Sequence, residues 1–97
     1  MIRLDLNNPE FQSNLLTLEK SEAWAVLNTL RLLQSLDWPQ LQSSKGLRWE
    51  LIQSRSGPQG QRLHSLRISR SCRAVAWRDG DWLRFLSLHP DHDSAYR

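Results

Sequence analysis

The sequence predicts an α+β fold with a short N-terminal strand and a two-helix hairpin packed on a twisted antiparallel sheet of about four strands. Three observations predict it. Apolar side chains recur at helical spacing over residues 9–36, side chains alternate with period two over residues 63–86, and Asp79-Gly80 is a two-residue hairpin signal. With 97 residues, the chain is long enough for one core, and we expect residues 1–97 to form a single domain.

The N-terminal region starts with an alternating segment and continues into a helix. Residues 2–6 alternate weakly and predict a short edge strand. Asn8 followed by Pro9 predicts a helix start, because asparagine accepts from free backbone N–H groups and proline has no N–H to leave unpaired. Phe11, Leu15 and Leu18 recur at helical spacing and give this helix one apolar stripe.

A second helix is predicted to start at Ser21 and to end near Leu36. It ends there because Pro39 disfavours helical geometry at the residue before it. Its apolar stripe, which we expect to pack into the core, consists of Ala23, Trp24, Val26, Leu27, Leu30 and Leu33.

Between the helices and the sheet, the pattern predicts two loops and one strand. Residues 40–46 are polar and predict a loop. Residues 47–53 predict a strand, with Trp49 and Glu50 on opposite sides. Residues 54–61 hold two glycines and a proline and predict another loop.

The strands that follow have two faces of different chemistry. If Asp79-Gly80 forms the turn, Arg78 lies opposite Asp81 and Trp77 opposite Trp82. One face is small or apolar and is expected to pack against the helices: Leu66, Ile68, Cys72, Ala74, Ala76, Leu83 and Phe85. The other face carries Ser65, Arg67, Ser69, Arg73, Val75, Trp77, Trp82, Arg84 and Leu86. Arginine with tryptophan is typical of a nucleotide-binding platform, although paired tryptophans that stabilise a hairpin are an alternative.

Charge is distributed unevenly along the chain. Residues 1–44 hold three basic and five acidic side chains, a net −2, whereas residues 45–97 hold ten basic and five acidic ones, a net +5. A basic sheet half favours a polyanionic partner such as nucleic acid, and a solvated basic face is the alternative. The side chains that we expect to contact RNA are Arg48, Arg70, Arg84, Trp77 and Trp82.

The same composition excludes several classes of protein. The single cysteine, Cys72, excludes an intrachain disulfide and a cysteine-based zinc site. No apolar run approaches the roughly 20 residues that span a bilayer, and the N-terminus does not resemble a signal peptide. We therefore expect a cytoplasmic protein that binds no membrane and needs no cofactor.

The C-terminal segment is rich in side chains that can carry out chemistry. His89, Asp91, His92, Asp93 and Tyr96 fall within eight residues. Histidine and tyrosine transfer protons, and the arginines of the sheet would stabilise charge on phosphorus, which together suffices for RNA cleavage without a metal. Two alternatives are a metal site built from the two histidines and two aspartates, and a polar terminus that packs its tyrosine on the sheet.

One combination of motifs resembles a known family. Residues 63–80 contain a Ser-x-Arg-hydrophobic pattern, a second arginine six residues later, and an Asp-Gly pair. A further strand and a His-Asp-x-x-Tyr ending at residues 92–96 follow. Together with the order of one strand, two helices and a sheet, this pattern resembles the RelE/ParE superfamily of bacterial toxins, in its RelE- and YoeB-like branch, over essentially the whole chain.

The resemblance implies the toxin of a type II toxin–antitoxin pair. Many such toxins are ribosome-dependent endoribonucleases that cut mRNA without metal and are neutralised by a protein antitoxin. Arg67 and Arg73 match the arginines of the paired strands, with Arg73 as the residue that stabilises the phosphate. His92 and Tyr96 match the polar residue and tyrosine of the ending, and Glu50 is the nearest candidate for an acidic base.

The same resemblance leaves a non-catalytic alternative open. One branch of the superfamily inhibits DNA gyrase and cuts no RNA, and a fold alone does not determine an activity. The chain would then be a gyrase-inhibiting toxin or an inactive interaction partner.

Overall fold

In a computed structural model, which describes residues 1–90, the chain forms a five-stranded mixed sheet and three helices. In chain order the elements are β1 Arg3–Asp5, α1 Pro9–Leu16, α2 Lys20–Gln34, α3 Trp38–Ser43, β2 Glu50–Ser56, β3 Arg62–Ser69, β4 Cys72–Asp79 and β5 Trp82–Pro90. The strand order across the sheet is β1-β5-β4-β3-β2. The α+β class is confirmed, and within residues 1–90 no helix is long and apolar enough to cross a membrane.

The prediction of a purely antiparallel sheet of about four strands is wrong, because the sheet has a fifth, parallel strand. Strands β2 to β5 are antiparallel neighbours, but β1 adds a fifth strand, parallel to β5, with Leu4 opposite Leu83. A parallel neighbour requires a long connection rather than a tight turn, and the helices and strands between β1 and β5 supply it. Because the N-terminal strand pairs with the last strand, both ends of the described chain lie in one sheet.

Helix α1 starts where the sequence predicts. The side chain of Asn8 accepts hydrogen bonds from the backbone N–H groups of Glu10 and Phe11, and Pro9 occupies the first helical position. The ring of Phe11 is fully buried and lies 5.2 Å, centroid to centroid, from the ring of Phe85 on β5. This contact fixes α1 on the sheet.

Helix α2 buries a narrower stripe than the sequence predicts. Val26, Leu30 and Leu33 are buried against the sheet. Leu27, predicted to belong to that stripe, and Trp24, predicted to widen it, are instead 39% and 64% exposed. A helix that lies on a sheet is covered over only part of its circumference, so its apolar residues exceed the covered face.

The predicted loop over residues 40–46 is wrong, because a third helix occupies most of it. Helix α3 begins after Asp37, which accepts from the backbone N–H of Gln40, while the side chain of Gln40 accepts from the backbone N–H of Asp37. This reciprocal capping stabilises a helix start, and Pro39 is tolerated there because first-turn N–H groups have no helical partner. Trp38 and Leu41 are consequently buried.

The predicted boundaries of the next strand are also wrong. Strand β2 starts at Glu50 rather than at residue 47, and it extends through Ser56 into the predicted loop of residues 54–61. The turn is confined to the residues after Ser56, where the backbone N–H of Gly57 donates to the carbonyl of Gln61. Glu50 pairs with Ser65 on β3, which sets the register of this edge.

The hairpin between β4 and β5 turns one residue later than predicted. Asp79 pairs with Trp82, so Gly80 and Asp81 form the turn, and Trp77 lies opposite Arg84 rather than Trp82. Gly80 has a φ of 62°, which favours glycine. The partner of Trp77 therefore changes by two residues, which preserves the predicted faces because side chains alternate with period two.

Two register shifts change which side chains share a face of the sheet. A register shift between Arg67 and Ser69 turns the hydroxyl of Ser69 toward α2, where it donates to Glu22 rather than sharing a face with Arg67 as predicted. A second shift moves the pairing from Ala76 with Phe85 to Val75 with Ser87. Leu86 is the extra residue of this bulge.

Candidate nucleic-acid interface on the arginine face

The face of the sheet opposite the helices brings together three of the predicted site residues. Arg67 on β3 is directly opposite Arg73 on β4, which confirms the shared face on which the predicted phosphate site depends. One step along the strands, Glu50 on β2 is opposite Ser65 on β3. We call this region the arginine face and define it by Glu50, Ser65, Arg67, Arg73 and His89.

Two side chains of the arginine face contact Arg73 and position it. Its Nη2 atom donates to the Ser65 hydroxyl at 2.8 Å and lies 3.4 Å from Oε1 of Glu50. The Arg73 side chain is 15% exposed, whereas that of Glu50 is 55% exposed. The contacts with Ser65 and Glu50 use one nitrogen of the Arg73 guanidinium group, and its other N–H groups can donate to an anion.

Arg48 adds a further cation beside the same carboxylate. Its Nη2 atom lies 3.7 Å from Oε2 of Glu50, with both side chains about half exposed. Arg48 has a φ of 51°, an uncommon conformation for a residue with a Cβ. The strain is localised just before β2, where the backbone N–H of Arg67 donates to the carbonyl of Leu47 at 2.7 Å.

The turn after Arg67 is anchored to α2. Glu22 accepts hydrogen bonds from the hydroxyls of Ser69, at 2.7 Å, and Ser71. The hydrogen bond from Ser69, and to a smaller extent that from Ser71, holds the pKa of Glu22 below its ordinary value. Arg70 is exposed in the turn, and its carbonyl accepts from Nη1 of Arg67 at 3.4 Å. Glu22 thereby positions the segment that carries the predicted phosphate and RNA contacts.

The predicted aromatic platform lies at the other end of the sheet. Trp77 is four residues from Arg73 along β4, which corresponds to roughly 13 Å. Arg84, opposite Trp77, lies 5.7 Å from its ring centroid and 5.5 Å from that of Trp82. Trp77, Trp82 and Arg84 therefore form a cluster that is separate from the arginine face.

Arg84 is engaged by carboxylates in that cluster. Its Nη1 atom donates to Asp5 at 2.6 Å and its Nε atom donates to Asp79 at 2.9 Å. Asp5 and Asp79 raise the pKa of Arg84. The backbone N–H of Asn7 and then Arg84 lower the pKa of Asp5. These contacts join β1 to the β4–β5 hairpin, and any phosphate binding at Arg84 would compete with two carboxylates.

His64 lies on the helix side of the sheet, away from Arg73. Its ring stacks on that of Trp49 at 4.2 Å with an interplanar angle of 7°. Burial lowers the pKa of His64 below its ordinary value of 6.5. His64 is therefore part of the core boundary rather than of the arginine face.

Two of the predicted catalytic residues, His92 and Tyr96, lie outside the described residues. The alternative metal site shares this position, because Asp91, His92 and Asp93 also follow residue 90. Within residues 1–90 no three histidine, cysteine or acidic side chains form a group that could hold a metal ion.

The sequence-based prediction missed the positions of Ser87 and His89 on β5. His89 lies opposite Arg73 because of the bulge at Leu86, and its Nε2 atom is 2.8 Å from the Ser87 hydroxyl. A regular continuation of the strand alternation from Arg84 would place both on the helix side. No local sequence signal marks the bulge.

Comparisons of the chain with protein-family models, with curated proteins and with solved structures find no match.

Proposed function

We propose that the chain is the toxin of a toxin–antitoxin pair and acts as an mRNA endoribonuclease that needs no metal. What supports this function is the contact of Arg73 with both Ser65 and Glu50 on a basic face of the sheet. An arginine fixed beside a carboxylate combines two of the groups that cleavage through the RNA 2′-hydroxyl requires, a base and a donor to the phosphate.

The chemistry that we propose is an attack within the RNA strand. Glu50 takes the proton of the 2′-hydroxyl, and the 2′-oxygen attacks the adjacent phosphorus. Arg73 and Arg67 stabilise the charge that develops on the phosphate oxygens. The bond to the 5′-oxygen breaks and an acid protonates that oxygen, which leaves a 2′,3′-cyclic phosphate and a 5′-hydroxyl. His92 and Tyr96 are the candidates for this acid that the family resemblance supplies.

The cleavage proposal is tested with purified protein and mRNA in the presence of EDTA, with and without ribosomes. We expect fragments with 5′-hydroxyl ends, and we expect Arg73→Ala to lower the cleavage rate by about 100-fold or more, since one preorganised donor to a transition-state charge contributes that much. Arg78→Ala is the matched control, because Arg78 is on the same strand but lies over the Trp38 ring, 4.2 Å from its centroid, on the helix side. Equal cleavage by wild type and Arg73→Ala would refute the proposed chemistry.

A protein antitoxin is the partner that we propose for the exposed side of α2. Leu4, Leu6, Trp24 and Leu27 line a groove of about 340 Å³ between β1 and α2. Trp24 is 64% exposed. An exposed tryptophan beside a concave apolar surface is typical of a protein-binding site.

The antitoxin proposal is tested with the product of a small open reading frame next to this gene. We expect co-purification that Trp24→Glu weakens at least tenfold and that Leu32→Glu preserves. Leu32 is the control because it is 49% exposed on the same helix but does not line the groove. Equal binding by the two variants would exclude this docking surface. Intact transcripts together with DNA damage in expressing cells would favour the gyrase-inhibiting alternative instead.

A further inference from the structure

The end of β5 brings a histidine to the arginine face through a tertiary contact. The bulge at Leu86 allows Leu88 to enter the core, where it is 5% exposed. The backbone N–H of Leu88 donates to the side-chain oxygen of Asn14 on α1 at 2.9 Å. With Leu88 on the helix side, Ser87 and His89 lie on the opposite side, beside β4.

The hydroxyl of Ser87 contacts the imidazole ring of His89 and holds it in place. Ser87 is 3% exposed, and its hydroxyl is 2.8 Å from Nε2 of His89, which is itself exposed. The hydroxyl can donate to neutral imidazole or accept from imidazolium, so this contact is kept in both charge states. No hydrogen bond joins Nδ1 of His89 to another of residues 1–90. Within residues 1–90, one ring nitrogen therefore has a hydrogen-bond partner and the other has none.

Three nitrogen-rich side chains form a row across three adjacent strands. Arg67, Arg73 and His89 are direct cross-strand neighbours on β3, β4 and β5. Adjacent strands are about 4.8 Å apart, so side chains on either side of Arg73 can contact one small anion. The nearest described carboxylate is that of Glu50, and Arg48 also lies beside it. Within residues 1–90, the two arginines that contact this carboxylate outnumber it.

We propose that His89, held by Ser87, directly contacts the phosphate group that Arg73 binds, donating the N–H of Nδ1 to a phosphate oxygen. The identity of that phosphate as part of RNA rests on the proposed function, but the contact itself requires only a phosphate group. Imidazolium and guanidinium groups are both suited to this anion because each forms charge-assisted hydrogen bonds.

The experiment is a titration of the full chain with inorganic phosphate at constant pH, followed by NMR. We expect saturable shifts of the His89 ring and of the Arg73 guanidinium group with one common dissociation constant. The His64 ring is the internal control, because it lies on the helix side against Trp49 and should not shift.

Variants measure the contribution of the contact. We expect His89→Gln to weaken phosphate binding about tenfold or more, the loss that corresponds to the lower end of the range for one hydrogen bond to a charged group. Ser87→Ala should weaken it less, because the ring remains but is no longer held. His64→Gln should bind phosphate as the wild type does. Since His89 is exposed, its substitution does not disturb the core.

The outcomes separate this inference from the proposed function. Phosphate that shifts Arg73 but not His89, or that binds neither, overturns the inference, as does wild-type affinity in His89→Gln. If phosphate binding behaves as expected but the protein cuts no RNA, only the proposed function fails. If Arg73→Ala abolishes RNA cleavage while His89→Gln keeps full phosphate affinity, the function stands and the contact is wrong.

Discussion

The anchor between Glu22 and the β3–β4 turn gives the sharpest prediction for stability. Replacing Glu22 with alanine removes its hydrogen bonds to Ser69 and Ser71. Ser69 is only 8% exposed, so its hydroxyl loses its acceptor where water has little access. A hydrogen bond to a charged group contributes about 1.5–3 kcal/mol, and the partial exposure of Glu22 favours the lower end. With a smaller share from the exposed Ser71, we expect a loss of about 2 kcal/mol.

Thermal and urea denaturation check this value. A loss of about 2 kcal/mol lowers the melting temperature of a domain of this size by roughly 8–16 °C. The matched control is Glu19→Ala, because Glu19 precedes the same helix but makes no side-chain capping hydrogen bond, and we expect it to change stability by less than about 0.5 kcal/mol. In a double-mutant cycle, Glu22→Ala and Ser69→Ala should show a coupling energy of about 1 kcal/mol. Strict additivity, or a Glu22→Ala variant as stable as Glu19→Ala, would refute the reasoning.

The same anchor has a predictable pH dependence. The hydrogen bonds from Ser69 and Ser71 lower the folded-state pKa of Glu22 below its ordinary value of 4.5. A carboxyl with a lowered folded pKa contributes its full stabilisation above the unfolded value and loses it as the pH falls through the folded value. The stability difference between wild type and Glu22→Ala should therefore narrow below about pH 4.5, which denaturation at a series of acidic pH values measures.

Three further predictions follow from the core, a turn and the buried imidazole. Phe11→Ala should cost about 3–5 kcal/mol in urea denaturation, because the ring is fully buried against that of Phe85, and a loss below 1 kcal/mol would contradict this packing. Gly80→Ala should cost about 1–2 kcal/mol because of its φ of 62°. Gly46→Ala should be nearly neutral, because Gly46 has no positive φ and an added Cβ would make only an ordinary contact, at 4.0 Å, with the Ser44 hydroxyl. Equal effects of the two substitutions would be inconsistent with the turn. Because burial lowers the folded-state pKa of His64, the neutral imidazole should contribute its full stabilisation above pH 6.5, and the free energy of unfolding should decline as the pH falls toward the lowered value. A His64→Gln variant with the same pH profile of stability as the wild type would disprove the role of His64 in this decline.

Local chemistry made some parts of the fold predictable. Asn8 and Pro9 mark the start of α1 because a helix N-terminus needs an acceptor and tolerates a missing N–H at its first residue. The alternation along β4 places Arg73 and Ala74 on opposite faces whatever the partner strand is. These rules depend only on residues that are within a few positions of one another in the sequence, so they apply without knowledge of the tertiary structure.

The buried face of α2 and the presence of α3 were mispredicted because both depend on tertiary packing. The apolar pattern of α2 includes Trp24 and Leu27, but the sheet covers only the side of Val26 and Leu30. The polar composition of residues 40–46 predicted a loop, whereas helix α3 starts from the reciprocal capping at Asp37 and occupies most of them. In both cases the local pattern was compatible with two outcomes, and packing selected one.

The candidate site also has a part that local sequence rules predict and a part that depends on tertiary contacts. The sequence by itself determined that Arg67 and Arg73 would carry charge on paired strands, because alternation and turn length are local properties. Only the tertiary structure decided that His89 joins them. That position depends on a bulge in β5 and on a hydrogen bond from the backbone N–H of Leu88 to Asn14, 74 residues away. A strand's register is a balance of such distant contacts, and an extra residue reverses its faces without a local signal.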